Sequence, residues 1–491
     1  MQTLRCISAS LLIVAACFGQ DPAPATAPAP VPAAYEGMWA GELHHGNESA
    51  DVGFEFSRKP DGRVLAQLWC PNLNVYGSPI AWLKFTDGKV SFSNADTPLT
   101  LEHDVLSGIL FSPEVTFTAR HADQLPAEPA MPDVPAGPAP AWVFRASAAL
   151  WTTPVVADHT AYLGDSAGKF HAVNTADGKL RWTFDAGTRL FGTAAVTDDA
   201  VFFAGDNGRL FKLNRMTGAE LWHADIGGAD FKRSLPTATA TEWDAATAAP
   251  IVDGDAVIVG STDGTVRALD AATGQPRWQI RTGGKTRAAA LAVGDRVYVG
   301  SFDHFVYALD RHTGAVLWRF DTGSAVTTPP VWANDRIVIG TRDRALLFAL
   351  DARDGKPAWD LFYWFSWVES APVLRDGMLY IGSSDSQRIR AIDPRDGRVA
   401  WATHVGGWTW GTPLVVGDTI YYATAGTPKY FITERASIGA LDRATGRLKW
   451  RTPVPLLDSS YVSGIPGSLA SADGKILAAS IDGTLTAYSI E

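Results

Sequence analysis

The sequence predicts an all-β protein whose main part is an eight-bladed β-propeller of four-stranded blades, preceded by a small antiparallel β domain. Three observations predict this fold. The pattern Asp/Asn-x-x-Thr/Asp-Gly-x-x-x-Trp occurs seven times, and residues 270–278 are one copy. Neighbouring copies recur at close to 40 residues, which is the distance from Trp278 to Trp318. Each period contains four short apolar stretches separated by turn residues, which is the pattern of a propeller blade.

The residues of the motif have separate physical roles. Asp270 begins a tight turn, because its short side chain can accept a hydrogen bond from the backbone two residues later. Gly274 takes the positive φ that such a turn requires. The chain then enters a strand in which Trp278 buries a large flat surface. We expect this surface to lie against the neighbouring repeat.

Closure of the ring follows from counting the blades. The C-terminal unit, residues 467–490, supplies three strands but lacks a Trp strand. Trp142 begins a Trp strand that has no blade of its own. Pairing the two completes an eighth blade and leaves no open edge. We therefore assign residues 142–491 to a propeller that is closed by its N- and C-terminal strands.

The N-terminal segment is predicted to direct export. Residues 1–20 combine Arg5 with an apolar stretch that is too short to span a membrane, which is typical of a signal sequence. The residues Val14-Ala-Ala-Cys17 are similar to the site at which bacterial lipoproteins are cleaved and lipidated. Lipidation of Cys17 is favoured, and cleavage near Gly19 without lipidation is the alternative.

Two Pro/Ala-rich linkers, residues 21–34 and 123–141, flank a separate small domain. Residues 35–122 contain alternating apolar and polar stretches joined by turns, which predict a small antiparallel sheet or barrel. The opening Gly37-Met-Trp39 resembles the Gly-x-Trp opening of lipocalin-like barrels. Cys70 is the one cysteine outside the leader, and we expect it to be buried.

Composition limits the classes of function. The chain has 491 residues, is 46 % hydrophobic and 19 % charged, and carries a formal net charge of −10. Nucleic acid is therefore not an expected partner. The sequence contains no Gly-x-Ser-x-Gly, P-loop or His-Glu-x-x-His pattern, and no Cys-x-x-Cys-His haem motif. We therefore assign no catalytic residue and no metal ligand.

Candidate binding residues gather at one end of the predicted ring. The loops that lead into the first strand of each blade should open there, and loops that vary on a rigid scaffold often carry function. Basic residues would form one side of this mouth and aromatic residues the other. For Glu369, a salt bridge to Arg287 or Arg189 is expected. Alternatively, the aromatic residues only close the channel and the charges form a solvated rim. The predicted mouth residues are Trp151, Phe191, Arg233, Lys285, Arg287, Trp367, Glu369, Trp408, Trp410 and Tyr461.

The repeats resemble the blades of the pyrroloquinoline quinone (PQQ)-type repeat family, most clearly at residues 260–278. Members of one kind are quinoprotein dehydrogenases, which hold PQQ and calcium over the central axis. Members of the other kind, similar to the outer-membrane barrel-assembly lipoprotein BamB, are exported, lipidated and non-catalytic. Many alcohol-oxidising quinoproteins have an adjacent cysteine pair, which is absent here, although one class lacks it. The resemblance favours the second kind.

The resemblance therefore implies a non-catalytic scaffold that binds proteins or peptides in the bacterial cell envelope. The scaffold would be a lipoprotein on the periplasmic face of a membrane, or a periplasmic or secreted protein, and no cofactor is expected. One alternative is a PQQ- and calcium-dependent dehydrogenase that oxidises an alcohol or a sugar. Glu369 would then be the candidate calcium ligand or base. Another alternative is a receptor for a carbohydrate or another small ligand.

Overall fold

A computed structural model describes residues 33–490, except 61–63, 81–82, 87–88, 93–97, 111, 230–248, 431 and 459. The predicted signal sequence with Cys17, and the predicted mouth residue Arg233, lie outside the described residues. No helix within the described ranges has the length and apolar character needed to span a bilayer. The chain forms two compact units, of which the first runs to Ala130 and the second begins at Met131.

The first unit is built on a seven-stranded antiparallel sheet, which is one of the two forms that the sequence predicts. Its strands and short 3-10 helices are η1 (Ala33–Tyr35), β1 (Gly37–His45), β2 (Glu48–Arg58), β3 (Val64–Cys70), η2 (Pro71–Leu73), β4 (Val75–Pro79), β5 (Leu83–Thr86), β6 (Lys89–Phe92), β7 (Thr100–Glu102), β8 (Val105–Ile109) and β9 (Thr116–His121). The strand order is β4-β3-β2-β1-β9-β8-β7, and β5 and β6 form a separate hairpin.

The core of the first unit is aromatic. Trp39 is fully buried, and its Nε1 donates to the carbonyl oxygen of Tyr35 at 2.9 Å. The rings of Phe54 and Phe117 lie 4.8 Å apart between the centroids. Cys70 is buried as predicted. These side chains alternate with polar ones along their strands, so one face of the sheet is apolar.

The second unit is an eight-bladed β-propeller, which confirms the predicted fold class. The strands of the first four blades are β11 (Val155–Ala157), β12 (Thr160–Gly164), β13 (Lys169–Asn174) and β14 (Leu180–Asp185); β15 (Ala195–Val196), β16 (Ala200–Ala204), β17 (Arg209–Asn214) and β18 (Glu220–Asp225); β19 (Ile251–Asp253), β20 (Ala256–Gly260), β21 (Thr265–Asp270) and β22 (Pro276–Arg281); and β23 (Leu291–Val293), β24 (Arg296–Gly300), β25 (Phe305–Asp310) and β26 (Val316–Asp321). Each of these four blades is a four-stranded antiparallel sheet whose strands follow chain order.

The next three blades repeat this arrangement. Their strands are β27 (Val331–Ala333), β28 (Arg336–Gly340), β29 (Leu346–Asp351) and β30 (Pro357–Phe362); β31 (Val373–Arg375), β32 (Met378–Ile381), β33 (Arg388–Ile392) and β34 (Val399–His404); and β35 (Leu414–Val416), β36 (Thr419–Gly426), β37 (Ser437–Asp442) and β38 (Leu448–Pro453). A short strand, β39 (Ser463–Gly464), pairs with the end of β36. The first strands of neighbouring blades contact one another, so these strands surround the central axis.

The eighth blade joins the two ends of the propeller. It combines β10 (Pro140–Arg145) with β40 (Ala470–Ala472), β41 (Lys475–Ala479) and β42 (Thr484–Ser489), in the order β10-β42-β41-β40. This arrangement confirms the predicted closure by strand exchange. The Nε1 of Trp142 donates to the carbonyl oxygen of Thr175 in the first blade at 3.0 Å. β10 therefore pairs with β42 and completes the eighth blade.

Hydrophobic cores lie between neighbouring blades. Between the third and fourth blades, Ile258, Val266 and Trp278 pack against Val299 and Leu309. In the fourth blade, the second and third strands are buried almost throughout, whereas the outermost strand alternates exposed and part-buried residues. This gradient explains why the middle strands of a blade read as continuous apolar runs in the sequence.

The repeated motif forms the predicted turn. Asp270 Oδ1 accepts hydrogen bonds from the backbone N–H and from the hydroxyl of Thr273, both at 2.9 Å. Gly274 has a φ of +72°. The indole Nε1 of Trp278 donates to the carbonyl oxygen of Arg311 in the next blade at 2.9 Å. The tryptophan therefore joins two blades, as the sequence predicts.

The end of the second Pro/Ala-rich linker lies along the seventh blade. We call Met131–Gly137 the strap. The backbone N–H of Arg451 donates to the carbonyl oxygen of Pro135 at 3.0 Å, and the N–H of Gly137 donates to Thr452 Oγ1 at 2.9 Å. Arg451 and Thr452 belong to β38, the outermost strand of that blade. The strap thus covers the edge of β38.

Candidate functional site

A cavity of about 480 Å³ lies on the axis of the propeller. Most of its wall residues precede the first strand of a blade. Every one of the eight blades contributes at least one described residue, for example Trp151, Phe191, Pro250, Arg287, Thr327, Glu369, Trp410 and Pro466. The volume falls in the range of about 300–1,000 Å³ that is typical of ligand sites.

A buried ion-pair triad forms one wall of the cavity. Glu369 Oε2 accepts a hydrogen bond from Arg287 Nη2 at 2.7 Å, and Glu369 Oε1 accepts one from Arg342 Nε at 2.7 Å. The side chains of Arg287, Arg342 and Glu369 are 5 %, 10 % and 13 % exposed. The predicted pair of Glu369 with Arg287 is therefore confirmed, and Arg342 adds a second cation.

An aromatic ring supports the cations of this wall. Phe302 has three cationic groups around its ring, with Lys285 Nζ at 4.4 Å, Arg287 Cζ at 5.3 Å and Arg342 Cζ at 5.8 Å from the centroid. Arg342 Cζ also lies 4.3 Å from the ring of Trp367. Such contacts stabilise a guanidinium that has lost most of its water. Burial raises the pKa of the adjacent Asp343, and the charge of Arg342 offsets part of that rise.

Aromatic side chains form the opposite part of the wall. The ring centroids of Trp151 and Phe191 lie 6.0 Å apart. The rings of Trp410 and Trp408 are stacked, with centroids 4.8 Å apart and an interplanar angle of 13°. Trp408 is buried, and its Nε1 donates to Asp385 Oδ1 at 2.9 Å. Trp410, which lines the cavity, is therefore held in place by a buried neighbour.

Two of the buried donor atoms in the wall belong to residues that have no hydrogen-bond partner for them within the described part of the chain. They are Trp367 Nε1 and Thr327 Oγ1. Both residues line the cavity, and they are 8 % and 6 % exposed. An unsatisfied buried polar group costs about 1–3 kcal/mol. These two atoms are therefore suited to bind an acceptor that a ligand brings.

The structure brings together most of the predicted mouth residues. Six of the ten line the cavity, namely Trp151, Phe191, Arg287, Trp367, Glu369 and Trp410. Lys285, Trp408 and Tyr461 do not line it; Lys285 contacts Phe302, Trp408 supports Trp410, and Tyr461 is buried. Arg342 also lines the cavity but is not among the predicted mouth residues. In the sequence, Arg342 is marked as the second residue of a Ser/Thr-x-Asp turn. This turn joins the second and third strands of a blade and lies at the same end of the axis as the cavity.

The charged residues of the cavity do not fit a calcium ion that carries a quinone. Calcium takes about six to eight oxygen ligands. Glu369 is the one carboxylate among the described lining residues, and both of its oxygens accept hydrogen bonds from arginines. The described residues also contain no group of three or more His, Cys, Asp or Glu side chains that could hold a metal ion.

The propeller is the part of the chain that matches a known protein family. The sequence profile of a family described as outer membrane protein assembly factor BamB matches residues 138–303, 230–328 and 302–491. A search of curated protein sequences found no match.

Solved structures share the fold. BamB from Moraxella catarrhalis is 18 % identical, with a TM-score of 0.55, and the match covers 72 % of this chain and 100 % of that one. The quinohemoprotein alcohol dehydrogenase from Comamonas testosteroni is 16 % identical, with a TM-score of 0.52, over 72 % of this chain and 76 % of that one. Another, from Pseudomonas putida HK5, is 15 % identical, with a TM-score of 0.53 and the same coverage. At these identities the likeness concerns the fold.

Proposed function

Because the chain belongs to the family of the outer membrane protein assembly factor BamB, we propose that it is a non-catalytic scaffold that binds protein or peptide partners in the bacterial cell envelope. The partners are expected among the proteins that take part in outer membrane protein assembly. The axial cavity and its rim are the contact surface.

The observation that carries this proposal is the composition of the cavity wall. Tryptophan and arginine are the side chains that most often dominate binding energy at protein interfaces. Here Trp151, Trp367 and Trp410 line one cavity together with Arg287 and Arg342. Buried partners hold these side chains in place, since Trp410 stacks on a buried tryptophan and the arginines share one carboxylate. A preorganised wall loses little conformational entropy when a partner binds.

The proposal includes export and a lipid anchor. Residues 1–20 have the pattern of a signal sequence, and Cys17 follows Val-Ala-Ala. A lipidated Cys17 would place the propeller at the periplasmic face of a bacterial membrane. The test is incorporation of a labelled fatty acid, which Cys17→Ala should abolish while export continues. Equal labelling of both proteins would exclude lipidation at Cys17.

Site-specific photo-cross-linking tests the scaffold function. A photoreactive amino acid at Thr412, which lines the cavity, should give a discrete cross-linked partner in intact envelopes, identified by mass spectrometry. The matched control position is Asp354, in an exposed motif turn at the other end of a blade. Cross-linking from Thr412 but not from Asp354 supports the proposal. No product from Thr412, or the same products from both positions, contradicts it.

The second candidate function is the PQQ- and calcium-dependent dehydrogenase. The cationic and aromatic sides of the cavity favour it, because a planar polyanion could stack on Trp410 and contact Arg287 and Arg342. The pairing of both Glu369 oxygens with arginines weighs against it, since that carboxylate would have to serve as a calcium ligand or a base. A cofactor titration separates the two functions.

A further inference from the structure

We propose that the axial cavity binds a carboxylate group that is carried beside an aromatic ring. Two sources share this chemistry: a small aromatic acid, and the free carboxyl end of a polypeptide whose last residue is aromatic. The inference rests on the proposed function, because it names the part of a partner that enters the cavity. Four properties of the wall support it, namely its charge, its unsatisfied donors, its flat apolar surfaces and its size.

The charge of the wall favours a single anionic group. Among the described charged side chains that line the cavity, two are cationic, Arg287 and Arg342, and one is anionic, Glu369. A guanidinium offers five N–H donors in a planar fork that matches a carboxylate. Glu369 already shows that this pair of arginines binds a carboxylate, with two contacts of 2.7 Å. A ligand carboxylate would be a second anion beside these two arginines.

The unsatisfied donors point to an acceptor on the ligand. Trp367 Nε1 and Thr327 Oγ1 are buried in the wall and have no partner among the described residues. Trp367 lies directly against the guanidinium of Arg342, at 4.3 Å. A carboxylate has about four lone-pair positions, so it can accept hydrogen bonds from a guanidinium and from a neighbouring N–H or hydroxyl group. The acceptor and the negative charge therefore belong to the same part of the ligand.

The rest of the wall favours a flat apolar group. Trp151, Phe191 and Trp410 present rings, and Pro250, Pro329 and Pro466 present rigid apolar surfaces. An aromatic ring buries a large area and stacks against such neighbours. The cavity of about 480 Å³ has room for one ring with its carboxylate and for only a short length of chain. A chain end fits these limits better than a segment that continues in both directions.

Calorimetric titration of the purified full-length protein with paired probes tests the carboxylate. The probes are N-acetyl-L-phenylalanine, its primary amide, and N-acetyl-L-alanine. We expect the phenylalanine acid to bind at least ten-fold more tightly than the amide, which lacks the charge. It should also bind at least ten-fold more tightly than the alanine acid, which lacks the ring. These comparisons use the unaltered protein, so they do not depend on whether a variant folds.

A second set of probes distinguishes the two sources. One peptide is four alanines followed by a C-terminal phenylalanine with a free carboxyl group. The other has the same composition with phenylalanine in the middle. Tighter binding of the first peptide than of N-acetyl-L-phenylalanine assigns the site to polypeptide ends. Binding of the small acid alone assigns it to a free aromatic acid.

Three variants place the binding in the cavity. Arg342→Gln should weaken the binding of the phenylalanine acid at least ten-fold, and Thr327→Val should weaken it about three-fold without loss of volume. The control is Arg277→Gln, because Arg277 pairs with Asp255 and Asp270 on an outer strand. It should bind the acid like the unaltered protein.

The inference is overturned if the acid and the amide bind equally, if neither binds at millimolar concentration, or if Arg342→Gln binds like the unaltered protein. It is also overturned if PQQ with calcium binds while the phenylalanine acid does not. A partner that is cross-linked from Thr412 in envelopes would still support the scaffold function after such a result. Failure of the carboxylate inference can therefore be distinguished from failure of the scaffold function.

Discussion

The indole ring of Trp278 lies against Gly314, the motif glycine of the next blade. A Cβ atom at Gly314 would lie 2.6 Å from the ring, which is closer than atoms can approach without a shift. Gly314 also has a φ of +71°. The motif glycine therefore meets two requirements at once, since it forms the turn of its own blade and admits the tryptophan of the preceding one.

Gly314→Ala should separate these two requirements. The control is Gly294→Ala in the same blade, because Gly294 has a φ of +56° but no atom within 4 Å of its Cβ position. Both variants carry the cost of a left-handed alanine, about 1–2 kcal/mol. Gly314→Ala should lose a further 1–3 kcal/mol or so from the clash with Trp278. Urea unfolding of the two proteins measures the difference, and equal midpoints would show that Trp278 does not constrain Gly314.

The glycine of each repeated motif lies against the tryptophan of the preceding repeat, and Gly137 of the strap makes the corresponding contact with Trp450. A Cβ atom at Gly137 would lie 2.3 Å from the ring of Trp450. Gly137→Ala should therefore lower the free energy of unfolding by about 1–3 kcal/mol. In a Trp450→Leu background the same change should cost clearly less, because the clash is gone. Strictly additive effects of the two substitutions would mean that the strap does not lie against Trp450 in solution.

A buried carboxylate in the first blade predicts a loss of stability in acid. Burial by itself would raise the pKa of Asp165, but hydrogen bonds from His171, Ser147 and the backbone of Lys169 outweigh it and lower the pKa to about 2. Because the folded pKa lies below the unfolded value, near 4, the stabilisation is present above pH 4 and is lost as the pH falls towards 2.

The measurement is unfolding of Asp165→Asn beside the unaltered protein at pH 7 and pH 3. At pH 7 the variant should be about 2–3 kcal/mol less stable, and the gap should narrow at pH 3. Asp198→Asn, in an exposed turn, is the control and should change little at either pH. A gap that stays constant between the two pH values would contradict the role assigned to the Asp165 carboxylate.

Removing the acid from the triad should destabilise the propeller. Glu369→Gln removes the carboxylate that Arg287 and Arg342 share, so we expect a loss of about 3 kcal/mol. The matched exposed change is Asp354→Asn, which removes the partner of Lys356 and should leave the stability nearly unchanged. Thermal unfolding of the two variants checks this expectation. A Glu369→Gln protein as stable as the unaltered one would show that the triad is not formed.

Most of the propeller could be predicted because its signals are local and repeated. The turn chemistry of Asp270 and Gly274 and the spacing of the tryptophans define a blade, and the Trp strand at Trp142 defines the closure. The strap could not be predicted in the same way. Its Pro/Ala-rich composition is that of a linker, and the contact of Gly137 with Trp450 joins residues that are far apart in sequence.

The site was predictable in position but not in detail. Counting residues before each first strand identifies Trp151, Arg287 and Glu369 as neighbours of the axis. The direction of a side chain depends on packing, so Trp408 and Trp410 share a loop while only Trp410 lines the cavity. Arg342 lies on a loop of regular length, and only its position in the Ser/Thr-x-Asp turn marks it in the sequence.

The most direct test of the scaffold function is titration of the purified protein with PQQ, with and without calcium. Tryptophan fluorescence is the readout, since Trp151, Trp367 and Trp410 line the cavity. The scaffold function predicts no calcium-dependent, saturable quenching at micromolar PQQ, and no PQQ-dependent reduction of a dye by alcohols or sugars. Saturable quenching that requires calcium and is weakened by Glu369→Ala would contradict the scaffold function and identify a cofactor site.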